Sequence, residues 1–196
     1  MGTKKTTLII LFFLTALASF ATQKDSLQSK PTRFSVALGN GWTHYIDNLD
    51  YGNQNLNKDF AGLSLRFLWE PEYRLSLGAE TGYYTMFFKF KNQTGSATTG
   101  EITRRITPML LLVRMRIIDH FYLSTGFGLA LLTSSSKGAE QNIVTNTMSL
   151  SNYQFTASYI YPLSPRVQLG GEAKLFNFGA YNDWMYSLQA FCAYRF

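Results

Sequence analysis

Cysteine is nearly absent from this chain: Cys192 stands by itself among 196 residues, so no intrachain disulfide can form. That excludes the small stapled secreted scaffolds. Charge is scarce too, at 15% of residues against the ~25% usual for a soluble globular domain, so the surface is short of groups to wet it. Only two histidines, His44 and His120, are available as a general base or metal ligand. No apolar run reaches the ~20 residues a membrane-spanning helix needs. The formal net charge of +6 is not gathered into a basic run or interleaved with aromatics, so nucleic-acid binding is excluded as the main role. What the chain has in excess is ring area: aromatic residues make up 16%.

The first residues, MGTKKTTLIILFFLTALASFATQ, place Lys4 and Lys5 before an apolar stretch from Leu8 to Leu17, followed by small residues at Ala16, Ala18, Ser19 and Ala21. That is the layout of a cleaved secretory signal peptide, expected over residues 1–21, with cleavage after Ala18 or, preferred, Ala21. Removing Lys4 and Lys5 leaves about +4 by subtraction. Residues 22–32 are a polar lead-in without periodicity, expected in the periplasm.

From residue 33 onward the chain alternates, and period two belongs to strands. RFSVALGNGWTHY sets Phe34, Val36, Leu38 and Trp42 against Ser35, Ala37, Gly39 and Gly41. FAGLSLRFLW sets Ala61, Leu63, Leu65, Phe67 and Trp69 against Gly62, Ser64 and Arg66. LSLGAETGYYTMFF sets Leu75, Leu77, Ala79, Tyr83 and Phe87 against Ser76, Gly78, Glu80, Gly82 and Tyr84. In ITPMLLLVRMRI the apolar side is Met109, Leu111, Val113, Met115 and Ile117, while Leu110 and Leu112 share a face with Arg114 and Arg116. Four more segments, beginning near Phe121, Asn152, Val167 and Tyr186, repeat the pattern. Eight strands is the smallest number that closes a membrane barrel.

The connections alternate in length. IDNLDYGNQNLNK, KNQTGSATTG and TSSSKGAEQNIVTN are long and polar; EPEYR, IDH and PLSPR are tight, with Pro71, Pro162 and Pro165 stiffening them. The last, GAYND, is shorter than the other odd connections. Short turns at one end and long polar loops at the other describe an outer-membrane barrel with both termini periplasmic. The glycine-rich face suits a narrow lumen rather than a soluble exterior, so the apolar face points to lipid. Trp42, Trp69, Tyr153, Tyr161 and Tyr186 then form aromatic girdles, together with Tyr194. The expected fold is all-β: an eight-stranded antiparallel up-and-down transmembrane β-barrel over residues 33–196, preceded by the signal peptide. A soluble barrel with its apolar side chains inside is the alternative.

The terminal YSLQAFCAYRF carries Leu188, Ala190, Cys192, Tyr194 and Phe196 on one face. It resembles the C-terminal signal read by the barrel-assembly machinery of Gram-negative outer membranes. Residues 106–132, ITPMLLLVRMRIIDHFYLSTGFGLALL, resemble the central hairpin of the small outer-membrane β-barrel domain family common in Bacteroidota. In that family a Pro-Leu-Leu-Leu run ends in a basic residue before a short turn and a glycine-alternating aromatic strand; TPM stands here for the more usual IPL. The resemblance implies outer-membrane location more firmly than an activity. One branch is similar to components of a protein-secretion apparatus. The partners it implies are outer-membrane lipid and lipopolysaccharide, the assembly machinery during insertion, and an envelope or secretion complex.

Seven charged residues fall on the inward face: Arg66, Arg114, Arg116, Lys174 and Arg195 against Glu80 and Glu172. They are expected to form a salt-bridge and hydrogen-bond network filling a pore-less lumen, with Arg66, Arg114, Arg116 and Arg195 toward the periplasmic end. A narrow channel or vestibule for small anions is the alternative. A lipid A-modifying enzyme is a distant third, because it requires a nucleophile, a base and an orienting carboxylate. His44 near Asp47 and Asp50 has no supporting spacing, and His120 beside Asp119 sits in a tight turn. No metal-ligand spacing, glycine loop or calcium loop occurs, so no cofactor is expected. Asn92 in NQT matches a glycosylation acceptor pattern that is taken as coincidence in a bacterial outer-membrane loop.

Overall fold

The computed structural model describes residues 33–46, 56–71, 74–92, 99–137, 142–179 and 183–196. The signal peptide and the polar lead-in lie outside the described residues. The strands are β1 (Arg33–Ile46), β2 (Leu56–Asn57), β3 (Asp59–Glu70), β4 (Leu75–Asn92), β5 (Thr99–Ile118), β6 (Phe121–Lys137), β7 (Asn142–Pro162), β8 (Val167–Phe178) and β9 (Asp183–Arg195). β2 is a two-residue strap on the loop end of β4, pairing at Lys89 and Phe88. The other eight form the wall.

Each wall strand pairs antiparallel with its neighbours in the chain, and the first and last wall strands pair to close the sheet into one ring. β4 pairs with β5, and β1 pairs with β9 from Ser35↔Arg195 to Ile46↔Trp184. Closure leaves no strand edge within the wall, which a membrane-spanning sheet requires because hydrocarbon offers no partner for backbone groups. Phe196, one residue past β9, is tied in as well: its N–H donates to the Phe34 carbonyl at 2.8 Å.

The strict alternation of burial follows the sequence. β3 reads exposed at Leu63, Leu65, Phe67 and Trp69 and buried at Gly62, Ser64, Arg66 and Leu68. Apolar side chains on every wall strand face out, among them Leu38, Leu111, Phe127, Phe155 and Leu188. Such a surface has no aqueous explanation in a folded monomer, since contiguous apolar patches there rarely exceed a few hundred Å². It is the surface of a membrane barrel.

Three features depart from the sequence reading. β6 runs to Lys137 and β7 begins at Asn142, so most of TSSSKGAEQNIVTN is strand rather than loop. Likewise β4 and β5 pair as far as Asn92↔Thr99, which takes the two residues at each end of KNQTGSATTG into strand. Hydroxyl and β-branched residues sustain strands as readily as loops, and the period-two signal fails over residues 142–148 because both faces of β7 are exposed there. The third departure is inside: Tyr45, Tyr84, Met86, Ile106, Leu110, Leu112, Ala130, Leu132, Phe176, Phe178 and Met185 form one buried apolar cluster that extends from the level of Glu80, where Leu110 and Leu112 lie, toward the loop end. The interior is therefore not uniformly hydrophilic. Inward positions are shielded from lipid and from water alike, so apolar side chains that pack there are as well accommodated as paired polar ones.

Glycine placement serves this filling. A Cβ on Gly62 would come within 2.6 Å of both Tyr84 and Thr43, so the Tyr84 ring lies where no other residue would leave room.

Candidate functional site: a lumen closed by charge and by rings

From the short-turn end inward, the first layer is built on Glu70. Its carboxylate accepts from Arg114 Nη2 at 2.7 Å, from Ser35 Oγ at 3.2 Å, and pairs with Arg195 Nη2 at 3.0 Å. The Arg114 guanidinium also lies over the Tyr122 ring, 4.8 Å from its centroid. Above this comes a small apolar layer of Ala37, Ile160, Phe191 and Ala193.

The middle of the lumen holds a closed four-membered ionic ring. Arg66 Nε donates to Glu80 at 2.6 Å and Arg66 Nη2 to Glu172 at 2.7 Å; Lys174 Nζ completes the ring to Glu80 at 2.6 Å and to Glu172 at 2.8 Å. All four side chains are sealed from solvent. Gln154 Nε2 donates to Glu80 at 3.2 Å, extending the network to β7, and Ser64 Oγ donates to Gln189 Oε1 at 2.7 Å as a separate buried pair. Two cations and two anions balance, and each carboxylate oxygen in the ring has a charged donor, the condition under which a buried ionic group is tolerated. Most of the apolar cluster lies on the loop side of the ring and caps it there, while Leu110 packs level with Glu80.

The inward residues singled out from sequence thus fall into three groups. Arg66, Glu80, Glu172 and Lys174 are brought together. Arg66 belongs to this central ring rather than with the periplasmic group, because it reaches Glu172 across the lumen. Arg114 and Arg195 converge on Glu70, which reads in the sequence as part of the EPEYR turn; its position on the inward parity of β3, two places after Leu68 and four after Arg66, is the signal that could have found it. Arg116 stands apart at the rim, paired with Asp119 at 2.9 Å, where a bulge between Arg116 and Ile118 releases the strand into its turn.

Outside, Trp69 and Tyr161 sit near the short turns, and Trp42, Tyr153 and Tyr186 toward the loop end, all facing away from the lumen. The Trp42 and Tyr186 rings meet edge-on at 5.3 Å. Leu188, Ala190, Cys192, Tyr194 and Phe196 form one exposed row down β9 and just beyond it. Asn92 ends β4, and the placement of its side chain lies outside the described residues.

The histidines are structural in their contacts. His44 pairs with Asp59 at 2.8 Å on the outer face and stacks on Tyr186 at 5.0 Å; Asp47 and Asp50 lie outside the described residues. Among the described residues no hydroxyl is hydrogen-bonded to His44. His120 occupies the two-residue turn with φ 66°, and its Nδ1 lies 3.0 Å from the Ile160 carbonyl while its own carbonyl accepts from Ile160 N–H. It pins the turn to β7. Among the described residues no group of three or more His, Cys, Asp or Glu is placed to hold a metal ion.

An eight-stranded up-and-down barrel with a lipid-suited exterior and a filled lumen is the fold of the small outer-membrane barrels. Solved structures agree with that assignment of fold. The Yersinia pestis attachment invasion locus protein Ail, solved in complex with the heparin analogue sucrose octasulfate, superposes with a TM-score of 0.57 at 12% identity over 85% of this chain and 100% of its own. A major outer membrane protein from Thermus thermophilus gives 0.53 at 17% identity, again over 85% of this chain and 100% of that one. No protein-family model matches the chain, and no curated protein matches it.

Proposed function

We propose that this is a non-enzymatic integral protein of the outer membrane, with both termini in the periplasm, that acts as a contact protein or subunit of an envelope complex through the parts standing beyond the bilayer. The observation that carries the reading is the double closure of the lumen by an ionic ring and an apolar cap. A barrel filled in this way offers no continuous water path, so its useful surface is the outside and the loop end. The resemblance of residues 106–132 to the Bacteroidota small-barrel family supports the same location, and the outward row ending at Phe196 is suited to reading by the assembly machinery.

The purified protein in planar bilayers is expected to give no single-channel steps; regular conductance steps would contradict the reading. A tag inserted in the loop between β4 and β5 should recover a defined envelope partner after cross-linking, and recovery of the solitary barrel would count against a subunit role.

One observation favours a second reading, an anion vestibule at the short-turn mouth. Arg114 and Arg195 share the single carboxylate of Glu70, and Arg33 and Arg166 line a cavity of about 310 Å³ beside Arg195. Because the ring and the apolar cap lie beyond it, this is a blind recess rather than an entrance. Binding of a small inorganic anion to the purified protein, lost on Arg195→Gln, would establish it instead.

A further inference from the structure

The loop end of β7 is a bare sheet edge. From Asn142 to Ser151 this strand pairs with β6 on one side, Ser149↔Ala130 up to Asn142↔Lys137, whereas its pairing with β8 begins only at Asn152↔Phe178. Every second backbone N–H and C=O along that stretch points away from the sheet with no strand beside it among the described residues. The departure from the wall is built in. Ser151 has φ 69°, the ladder skips between Gly128 and Ala130, and Asn152 locks the bend by donating to the carbonyls of Ser149 at 2.9 Å and Gly128 at 3.2 Å.

Natural sheets blunt such edges with lysine, proline, a bulge or a covering segment. The opposite edge of this same projecting sheet is covered in part: β2 pairs with β4 at Lys89 and Phe88. The β7 edge, NIVTNTMSLS, has no charge and no proline, and it exposes Ile143 at 56%, Val144 at 61% and Met148 at 57%. Two edges of one sheet are thus treated in opposite ways.

We infer that the β7 edge is a docking site for an extended, uncharged segment of another protein, which adds to the sheet as an antiparallel strand. Resting on the contact role proposed above, this names the place and chemistry of the contact. A second copy of the chain does not fit. Wall strands tilt by ~35–45°, and copies in one membrane share the same up direction. Two β7 edges related by a two-fold along the membrane normal therefore cross at roughly 70–90° instead of running antiparallel. A copy related by translation would offer the edge of β4, where β2 is already paired at Lys89 and Phe88. The partner strand should set apolar side chains beside Val144 and Met148, on the face continuous with the outer wall, and hydroxyl-bearing ones beside Thr145 and Thr147.

Hydrogen exchange of the full-length protein in nanodiscs tests this, with a synthetic end-capped peptide copying Ala130–Ser136 as the probe, because that uncharged sequence already forms a matching antiparallel neighbour for β7. Amide exchange over 142–147 should slow at least tenfold with peptide, and Val144→Lys/Met148→Lys should abolish the effect while keeping the heat-dependent gel mobility of a folded barrel. Val144→Lys by itself serves if the double variant does not fold. Unchanged exchange at saturating peptide, equal protection in the variant, or an edge already protected in the isolated protein would each overturn the inference. The cross-linking test of the contact role is independent of all three.

Discussion

Arg66 illustrates what one inward side chain does in this protein. Its guanidinium bridges β4 and β8 from β3, making two charge-assisted hydrogen bonds in a space without water to replace them. Arg66→Met is therefore expected to cost about 3–5 kcal/mol, because Glu80 and Glu172 would then share Lys174 as their one cationic partner. Replacing all four ring members together with Met and Gln is expected to be neutral or stabilising. Urea unfolding in lipid vesicles measures both, and equal losses in the single and fourfold variants would refute the ring as a coupled unit. The four charges were legible in the sequence because each falls on the inward parity of a clear alternating segment. Their pairing was not: Lys174 and Glu80 are 94 positions apart in the chain, and only closure of the barrel brings them within reach. Glu70 escaped because its neighbours Pro71 and Glu72 read as turn.

At the scale of the element, parity does most of the specifying, because a one-residue slip in any strand would turn its whole apolar row inward. The outward row of β3 makes this measurable. Leu65→Arg, near the middle of the wall, is expected to destabilise the barrel by about 2–4 kcal/mol in lipid. Ile143→Arg, on the projecting edge and clear of the hydrocarbon, is expected to change stability by less than about 0.5 kcal/mol. Similar losses at the two positions would mean that the apolar face does not meet lipid. Strand identity was readable where one face is buried or lipid-facing, as in β1, β3, β8 and β9. It was not readable above the wall, where β6 and β7 continue as Thr133–Lys137 and Asn142–Met148: with solvent on both faces there is no alternation to detect, and serine, threonine and asparagine read equally as loop.

Over the whole molecule, the closed ring of eight strands divides space into a greasy exterior and a filled interior. It leaves the ends as the surfaces on which specificity can be written. The sequence indicated the ring through its strand number, its alternating turn lengths and the terminal aromatic row. It held no warning of the apolar cap, because a phenylalanine at an inward position such as Phe176 or Phe178 looks like a blemish in the pattern until the rings are seen packed together, Phe176 against Tyr84 at 5.1 Å and against Phe178 at 5.9 Å. The cap and the ionic ring are separate seals. Loss of one, as in Arg66→Met, is expected to leave the bilayer silent, and a variant that conducts would show that the ring by itself closes the lumen. The most direct measurement of the membrane barrel itself is gel mobility in dodecyl sulfate with and without boiling, on protein extracted from membranes in mild detergent. A closed, lipid-stable barrel should migrate as a compact species unboiled and shift on heating; identical mobility before and after boiling, from protein that stays in solution without detergent, would contradict the account.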